Sequence, residues 1–395
     1  MAPHAEPASP AAGPGSDGTS DLFRSFFIGG FECSTQRRRD GRRLDLLAGT
    51  RHDVLVAQDY RQLAEHGIRS ARDGIRWHLV ETRPGHYDWS SVLPALRAAR
   101  DTGTQVAWDL CHYGWPDAVD VFSPAFVEHF ARFAGAFARL HRDEMGFAPT
   151  VCPVNEISFF AWAGGDVALM NPGQTHRANE LKLQLVRAAI AGARAVRDAA
   201  PGACILAIDP ITNIVPRPDQ DPADAAAHNE NQFQAWDMLC GLQHPELGGG
   251  ADSFDVLGVN YYWNNQWLHG GHREAVLPSD PRHRPLRDLL AGAYARYRKP
   301  IFMAETSIEG DERAPWLRYI GEEVRAAMRA GVPMDGICLY PVLSHLGWDD
   351  DRYCPNGLFE LQPEGDRRPV HAPLAAELRE QQRLFAELRR SRAAS

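Results

Sequence analysis

Residues 105–154 read QVAWDLCHYGWPDAVDVFSPAFVEHFARFAGAFARLHRDEMGFAPTVCPV, and they contain one complete structural unit. The run at 105–110 is apolar enough for a buried strand, and a second such run follows at 151–154. Between the two, residues 124–141 repeat apolar side chains at helical spacing. Two buried strands joined by one amphipathic helix predict a right-handed βαβ unit in a parallel sheet.

The same alternation extends from this unit in both directions. Eight strands are predicted, at 25–30, 70–75, 105–110, 151–154, 204–208, 256–260, 301–304 and 336–339. Helices are predicted at 53–66, 91–102, 124–141, 180–199, 229–241, 285–297, 316–330 and 373–390. Eight repeats favour a single-domain α/β fold, the closed (β/α)8 TIM barrel, over an open doubly wound sheet, although periodicity alone leaves both open.

Composition sets the limits of the folded domain and excludes some partners. Residues 1–21 are rich in Pro, Ala, Gly and Ser and have no signal-peptide pattern, so we expect a disordered N-terminal tail and a barrel over 22–395.

The net charge of −9 argues against a nucleic-acid surface. No run of 18 apolar residues occurs, so no membrane partner is expected. The glycines form neither GxGxxG after the first strand nor GxxxxGK[ST], which disfavours a nucleotide fold.

The cysteines indicate the compartment. The chain has 7 of them, an odd number, and no CxxC pair occurs. This pattern is typical of buried free thiols in a reducing environment, so a cytoplasmic location is predicted. The oligomeric state is not indicated by any of these features.

Two long segments, 214–227 and 270–285, follow the fifth and sixth predicted strands. In a barrel, such segments lie on the rim formed by the carboxyl ends of the strands, where active sites are built. They are therefore either loops that shape a substrate site or surface loops with no part in it, and the sequence leaves both interpretations open.

Polar side chains gather at those same strand ends. The fourth predicted strand leads into Glu156, and the seventh ends next to Glu305. Cleavage of an acetal needs a carboxylic acid to protonate the leaving oxygen and a carboxylate beneath the anomeric carbon. Two glutamates on roughly opposite strands, ringed by polar groups, suit that chemistry. The surrounding polar residues are Arg72, Asp73, Asp109, His112, Asn155, Asn260, Tyr261 and Tyr262.

Several motifs, in this order along 27–361, resemble those of glycoside hydrolase clan A and, within it, family 1, the β-glucosidase-like enzymes. The opening FIGG at 27–30 and Thr35-Gln36 are similar to F-x-W-G…Y-Q, with one residue fewer before the glutamine. Glu305 corresponds to the glutamate of T-E-N-G. The other matches are 72–77 (RDGIRW, for R-F-S-I-x-W), 110–113 (LCHY, for L-x-H-W), 155–156 (NE, for N-E-P) and 258–262 (GVNYY, for G-x-N-Y-Y).

This resemblance implies a retaining β-glycosidase that hydrolyses a small β-glycoside or glycoconjugate by double displacement. Glu156 would be the general acid/base and Glu305 the nucleophile. It also implies substrate-binding or supporting positions around them: Arg72 and Tyr262 on Glu305, Asn155 on the sugar 2-hydroxyl, His112 and Gln36 on sugar hydroxyls, Asn260, and Trp348 among the rim tryptophans that stack on a pyranose. The expected partner is a small carbohydrate, and the mechanism needs no cofactor or metal.

The chain also departs from the family pattern. Ile157 stands where the motif has proline after Glu156. In the loop after the eighth strand, Tyr340 replaces the tryptophan platform and Gly347 replaces the glutamate that grips O4 and O6 of the sugar. The glycone therefore stays open. Candidate substitutes for the missing carboxylate are Glu32, His345 and the acidic run at 349–351.

Three rival interpretations remain. A metal-dependent barrel enzyme could use His112, Asp109, Asp209 and His345, but closely spaced ligand motifs such as HxH or HExxH are absent from the sequence. A carbohydrate-binding barrel could have kept the site without turnover. A transglycosidase would use the same pair of carboxylates and pass the sugar to an alcohol instead of water.

Overall fold

The structure is a computed structural model that describes residues 22–270, 274–362, 365 and 367–393. The predicted tail at 1–21 lies outside the described residues. Eight parallel strands close into a barrel, which confirms the predicted fold class. In chain order, the barrel strands are Phe27–Gly30, Ser70–Gly74, Gln105–Asp109, Thr150–Cys152, Cys204–Pro210, Val256–Asn260, Ile301–Thr306 and Met334–Leu339.

The barrel closes because its first strand pairs on both sides. Phe27 is in register with Ile337 of the eighth strand, and Ile28 is in register with Ser70 of the second. Each of the other strands pairs with its neighbours along the chain, as a right-handed (β/α)8 winding requires.

Two apolar clusters hold the barrel, and the fifth strand shows how one sequence supplies both. Leu206 and Ile208 belong to the cluster inside the barrel, whereas Ile205 and Ala207 pack outward against the helices. Successive side chains of a strand point to opposite faces. Because both faces are buried, the strand reads as a continuous apolar run and not as an alternating one.

The helices surround the barrel, and the long helices after the third and fourth strands pack against each other. Among the described residues the helices are Leu46–Gly49, His52–Glu65, Trp77–Val80, Leu93–Thr102, Pro124–Met145, Ile157–Gly165, Ala178–Ala199, Pro222–Asn231, Gln234–Leu239, Leu286–Tyr297, Arg313–Arg329 and Ala372–Ala393, with 3₁₀ turns at Pro245–Leu247 and Gly310–Glu312. Within the part of the chain that is described, no helix has the length and apolar character needed to cross a membrane.

The segment after the fifth strand differs from its prediction. A single helix was expected at 229–241, but the structure has two, Pro222–Asn231 and Gln234–Leu239. The first starts inside the predicted long loop because Asp221 caps it, accepting a hydrogen bond from the N–H of Ala223 at 2.9 Å. The helix is interrupted at 232–233, where the side-chain oxygen of Gln232 accepts a hydrogen bond from the backbone N–H of Thr212 at 2.8 Å.

Two short strand pairs lie on the rim at the carboxyl ends of the barrel strands. Asn213–Val215 pairs with Gln266–Leu268, which joins the segments after the fifth and sixth strands. His345–Leu346 pairs with Tyr353–Cys354 in the loop after the eighth strand. Part of the second predicted loop, residues 271–273, lies outside the described residues.

Candidate active site

A cleft of about 420 Å³ opens at the carboxyl ends of the barrel strands, and both predicted glutamates line it. The two rim segments after the fifth and sixth strands form one wall. The lining residues are Glu32, His112, Tyr113, Glu156, Ser158, Phe159, Trp162, Pro210, Thr212, Ile214, His228, Gln232, Tyr262, Asn264, Asn265, Trp267, Glu305 and Trp348. Of the two predicted long loops, 214–227 contributes Ile214 to this lining, and the described part of 270–285 contributes no residue.

Glu305, near the end of the seventh strand, is surrounded by hydrogen-bond donors. Arg72 Nη1 donates to its Oε1 at 2.7 Å, and the Tyr262 hydroxyl donates to its Oε2 at 2.8 Å. Asn155 Nδ2 lies 3.3 Å from Oε1. Arg72 is fully buried, so its charge acts on the carboxylate with little screening. Both oxygens of the Glu305 carboxyl group therefore have hydrogen-bond donors.

Arg72 is itself fixed by a second carboxylate. Its Nε and Nη2 reach the two oxygens of Asp109 at 3.1 and 2.7 Å, and Nη2 also donates to Asn155 Oδ1 at 2.7 Å. The two carboxylates and the amide together fix the position of the guanidinium group. Burial lowers the pKa of Arg72, but Asp109 and Glu305 more than offset that and raise it well above its usual value.

Glu156 lies in the opposite kind of environment. Its backbone is left-handed, with φ of 48°, and its N–H donates to the carbonyl of Ile208 in the fifth strand at 3.0 Å. The carboxyl accepts from the Tyr113 hydroxyl and from Asn260 Nδ2, the latter at 2.8 Å. No cation pairs with it among the described residues. Burial, and then the charge of Glu305, raise the pKa of Glu156 to about 8.

Asp209 positions the backbone that follows Glu156. It lies in the fifth strand, and both of its oxygens accept from the N–H of Ser158, at 3.1 and 3.2 Å. Burial raises the pKa of Asp209 to about 7, against the opposing effect of its hydrogen bonds. Asp209 thus anchors the start of the helix Ile157–Gly165, directly after Glu156, and it is not among the lining residues.

His112 joins the arginine network to the cleft. Its Nδ1 lies 2.9 Å from Asp109 Oδ2, and its Nε2 lies 3.2 Å from Asn155 Nδ2. Burial lowers the pKa of His112, but the hydrogen bond to Asp109 and the charge of Glu32 more than offset that effect. The histidine lines the cleft, where it can contact a bound sugar.

The loop after the first strand departs from the expected arrangement. Gln36 is buried but lies outside the cleft lining, and its carbonyl accepts from the N–H of Leu44. Glu32 lines the cleft instead. The loop is one residue shorter before the glutamine than the family pattern, which places a different side chain of the loop in the cleft.

The loop after the eighth strand contributes one side chain to the cleft, Trp348, whose ring packs on Tyr113 at 5.6 Å and on Phe159 at 6.1 Å. Tyr340 lies beneath the lining, parallel to the His112 ring at 6.0 Å. A Cβ at Gly347 would lie 2.6 Å from Asp350 Oδ1, so this position faces the 350–352 turn and not the cleft.

The two other candidate substitutes also lie outside the cleft lining. His345 binds the carbonyl of Leu346 through Nδ1 at 2.7 Å and meets Asn356 through Nε2 at 3.2 Å. The run at 349–351 is exposed, and Asp351 forms ion pairs with Arg38 and Arg42.

Part of the cleft lining is rich in aromatic and apolar side chains. Phe159 and Trp162 lie three residues apart in the helix that follows Glu156, with their rings 5.8 Å from one another. Ile214 and Trp267 come from the rim strand pair. This part of the lining can pack against an apolar group of a bound molecule.

The metal ligands of the rival interpretation do not form one site. Asp209 and His345 lie away from the others, but His112 and Asp109 do meet, together with Cys33. Arg72 already binds both oxygens of Asp109. A guanidinium at that position repels a cation, so this group fits an ion-pair network better than a metal centre.

Comparison with known proteins gives one clear likeness. No family model matches the sequence, and no curated protein sequence matches it. Solved structures do match. The β-glucosidase of Thermotoga maritima in complex with glucoimidazole superposes with a TM-score of 0.75 at 13% identity, over 91% of this chain and 98% of that chain.

The chain has the fold of the family 1 β-glucosidases. The Thermotoga maritima enzyme in complex with deoxynojirimycin gives a TM-score of 0.74 at 14% identity, covering 92% of this chain and 99% of that one. A hyperthermophilic β-glucosidase mutant gives 0.73 at 15% identity, covering 90% and 99%. At such identities, the likeness is one of backbone fold.

Some residues of this cleft were missing from the site predicted from the sequence. Tyr113 donates to Glu156, yet the sequence indicated only its neighbour His112. Phe159 and Trp162 follow Glu156 closely, in a short apolar helix that the sequence pattern did not predict. No sequence pattern marked Trp267 as a cleft residue. Its strand is positioned by pairing with Asn213–Val215, which is short and distant in sequence.

Proposed function

We propose that this protein is a retaining β-glycosidase that hydrolyses a small β-glycoside or glycoconjugate by double displacement, with Glu156 as general acid/base and Glu305 as nucleophile. The observation that carries the proposal is the contrast between two carboxyl groups in one cleft. Glu305 is paired with the buried Arg72 at 2.7 Å, while burial and Glu305 raise the pKa of Glu156 to about 8. Glu305 is thus ion-paired with an arginine, whereas Glu156 is held protonated near neutral pH, and acetal cleavage needs a carboxylate and a carboxylic acid in these two roles.

In the first step, an oxygen of Glu305 attacks the anomeric carbon as the bond to the leaving group breaks. Glu156 gives its proton to the departing oxygen. The Tyr113 and Asn260 donors on Glu156 stabilise the carboxylate that remains. The sugar is then attached to Glu305 as an ester, and the leaving group departs as an alcohol.

In the second step, Glu156 is ionised and accepts a proton from water. That water attacks the anomeric carbon from the side the leaving group has vacated, and the bond to Glu305 breaks. Arg72 and Tyr262 stabilise the carboxylate that is regenerated. Two inversions at one carbon leave the product with the configuration of the substrate.

The shape of the cleft supports a small substrate. A volume of about 420 Å³ suits one sugar ring and a modest leaving group. We therefore propose removal of a single terminal sugar in preference to cleavage within a polysaccharide. All seven cysteines are free thiols, which supports action in the cytoplasm.

The proposal is tested with a panel of 4-nitrophenyl β-glycosides that differ in the sugar, assayed with the wild type and with Glu305→Gln. We expect the wild type alone to release 4-nitrophenol, and proton NMR of the first product to show the β-anomer. Release of the α-anomer, or equal release by both proteins, would contradict the proposal. Long polysaccharides should react more slowly than the aryl glycosides.

A further inference from the structure

One carboxylate in the cleft has no place in the mechanism. Glu32 lies in the loop after the first strand and is 8% exposed. Among the described residues, the carboxylates that line the cleft are Glu32, Glu156 and Glu305. The last two have the catalytic tasks proposed above. A largely buried carboxylate that faces a binding cleft is costly unless a partner satisfies it, so its presence calls for an explanation.

The hydrogen bonds of Glu32 leave one oxygen open. The N–H of Ser34 donates to Oε1 at 3.0 Å, and the Ser34 hydroxyl donates to the same oxygen. The nearest cationic group is His112, whose Nε2 lies 3.8 Å from Oε1 and whose other ring nitrogen is bound to Asp109. Among the described residues, no donor reaches Oε2. The serine therefore fixes the carboxylate while one acceptor oxygen remains for a bound molecule.

A chain of contacts joins Glu32 to the nucleophile. His112 Nε2 lies 3.8 Å from Glu32 Oε1 and 3.2 Å from Asn155 Nδ2, which in turn lies 3.3 Å from Glu305 Oε1. Burial, and then the charges of Glu305, Glu156 and Glu32, raise the pKa of the Tyr262 hydroxyl well above its usual value. Glu32 also raises the pKa of the Tyr340 hydroxyl, after burial and Cys33. The sugar that becomes attached to Glu305 occupies the same side of the cleft as these contacts, whereas the leaving group lies beyond Glu156.

We propose that Glu32 is a specificity-determining residue that accepts a hydrogen bond through Oε2 from one hydroxyl group of the glycone. This inference rests on the proposed function. The preferred substrates are then neutral glycones with a hydroxyl group at that position. Among its described residues, the loop after the eighth strand supplies no carboxylate to the cleft, so Glu32, in the loop after the neighbouring first strand, binds the sugar instead.

The test combines removal of the carboxylate with removal of single hydroxyl groups. The probes are the 4-nitrophenyl β-glycoside that the wild type turns over best and its monodeoxy derivatives. The proteins are wild type, Glu32→Gln, Glu32→Ala and the matched control Asp349→Asn, an exposed carboxylate on the same rim and outside the cleft lining. Melting temperatures show whether each variant folds.

We expect one monodeoxy substrate to lose about 10- to 100-fold in kcat/KM with the wild type, as for a hydrogen bond to a charged group. Glu32→Ala should lose a similar factor on the complete glycoside and lose nothing further on that derivative. Glu32→Gln should be intermediate, and Asp349→Asn should match the wild type. If Glu32→Ala slows every derivative by the same factor as the parent, the carboxylate is structural and the inference is wrong.

A binding measurement separates this inference from the proposed function. Calorimetry is performed with the parent glycoside and its monodeoxy forms on Glu305→Gln, with and without Glu32→Ala. If the wild type shows no turnover, the proposed function fails, while tighter binding of the parent that depends on Glu32 still supports the sugar contact. Equal binding with and without Glu32, or no binding at all, overturns the contact.

Discussion

Arg72 Nη1 lies 2.7 Å from Glu305 Oε1, and the same guanidinium binds both oxygens of Asp109. The arginine therefore does not depend on Glu305 alone for charge compensation. This arrangement separates the catalytic contribution of Glu305 from its structural one, because a neutral amide at 305 keeps an acceptor for Arg72 and leaves the Asp109 pair intact.

Glu305→Gln should abolish turnover while the protein stays folded. We expect kcat to fall by at least about 10⁴-fold, as for loss of a nucleophile. The free energy of unfolding should change by less than about 2 kcal/mol. The matched control is Glu309→Gln, an exposed glutamate in the loop after the same strand that pairs with Arg352, and this variant should keep its activity. Kinetics and denaturant unfolding check both expectations, and a large loss of stability would make Glu305 primarily structural.

The pH profile should follow the ionisation of Glu156. Burial and Glu305 raise its pKa to about 8, and a general acid acts only while protonated. We expect kcat/KM to fall as the pH rises through about 8. The Tyr113 hydroxyl donates a hydrogen bond to Glu156 and lowers the pKa of that carboxyl group. Tyr113→Phe should therefore move the alkaline limb of the pH profile to higher pH. Profiles from about pH 5 to 10 measure the shift, and a limb that moves to lower pH would contradict the assignment.

Stability should fall at alkaline pH because of a buried histidine away from the cleft. His52 lies 2.7 Å from Asp59 and 2.9 Å from Asp73. Burial lowers its pKa, but the two aspartates more than offset this and raise it from 6.5 to about 9. A folded-state pKa above the unfolded one contributes stability that is present below about pH 6.5 and lost as the pH rises through about 9.

The shift corresponds to roughly 3 kcal/mol between those limits. Denaturant unfolding of the wild type at pH values across this window measures the loss. His52→Gln has no titrating group and should show a flatter dependence on pH over the same range. An equally steep decline in the variant would mean that other groups cause the loss.

Gly114 allows two rim loops to approach closely. A Cβ at this position would lie 2.5 Å from the carbonyl oxygen of Thr35, and backbone atoms cannot move away cheaply. Gly114→Ala should therefore lower the free energy of unfolding by about 1–3 kcal/mol and reduce activity, since Tyr113 and His112 precede it. As a control, Gly292→Ala lies in a helix with open space around it and should stabilise by up to about 1 kcal/mol. Equal effects at the two positions would contradict this account.

The barrel was predictable because buried parallel strands leave a strong pattern. The predicted strand at 256–260 has the bounds of the observed one, Val256–Asn260. The helix Ile157–Gly165 was missed, since its ISFFAWAGG sequence has almost no polar face and therefore no helical periodicity. The break at 232–233 depends on the contact between Gln232 and Thr212, which sequence spacing does not reveal.

The candidate site was predictable where it depends on strand ends. Glu305 lies near the end of the seventh strand and Tyr262 lies two residues after the sixth, and the Tyr262 hydroxyl is 2.8 Å from Glu305 Oε2. The loop after the first strand was harder, because its path decides that Glu32 and not Gln36 lines the cleft. Tyr113 has a left-handed backbone, with φ of 67°, that turns its hydroxyl toward Glu156, and local sequence gives no signal for that conformation.

Trapping the covalent intermediate tests the central claim most directly. A 2-deoxy-2-fluoro-β-glycoside with a good leaving group slows both steps but keeps the first one faster, so the glycosyl-enzyme accumulates. Intact-protein mass spectrometry should show the addition of one fluoroglycosyl unit, and peptide mapping should place it on Glu305. With a sugar that the wild type hydrolyses, an adduct on another residue, or turnover of the natural glycoside without any adduct, would contradict the account.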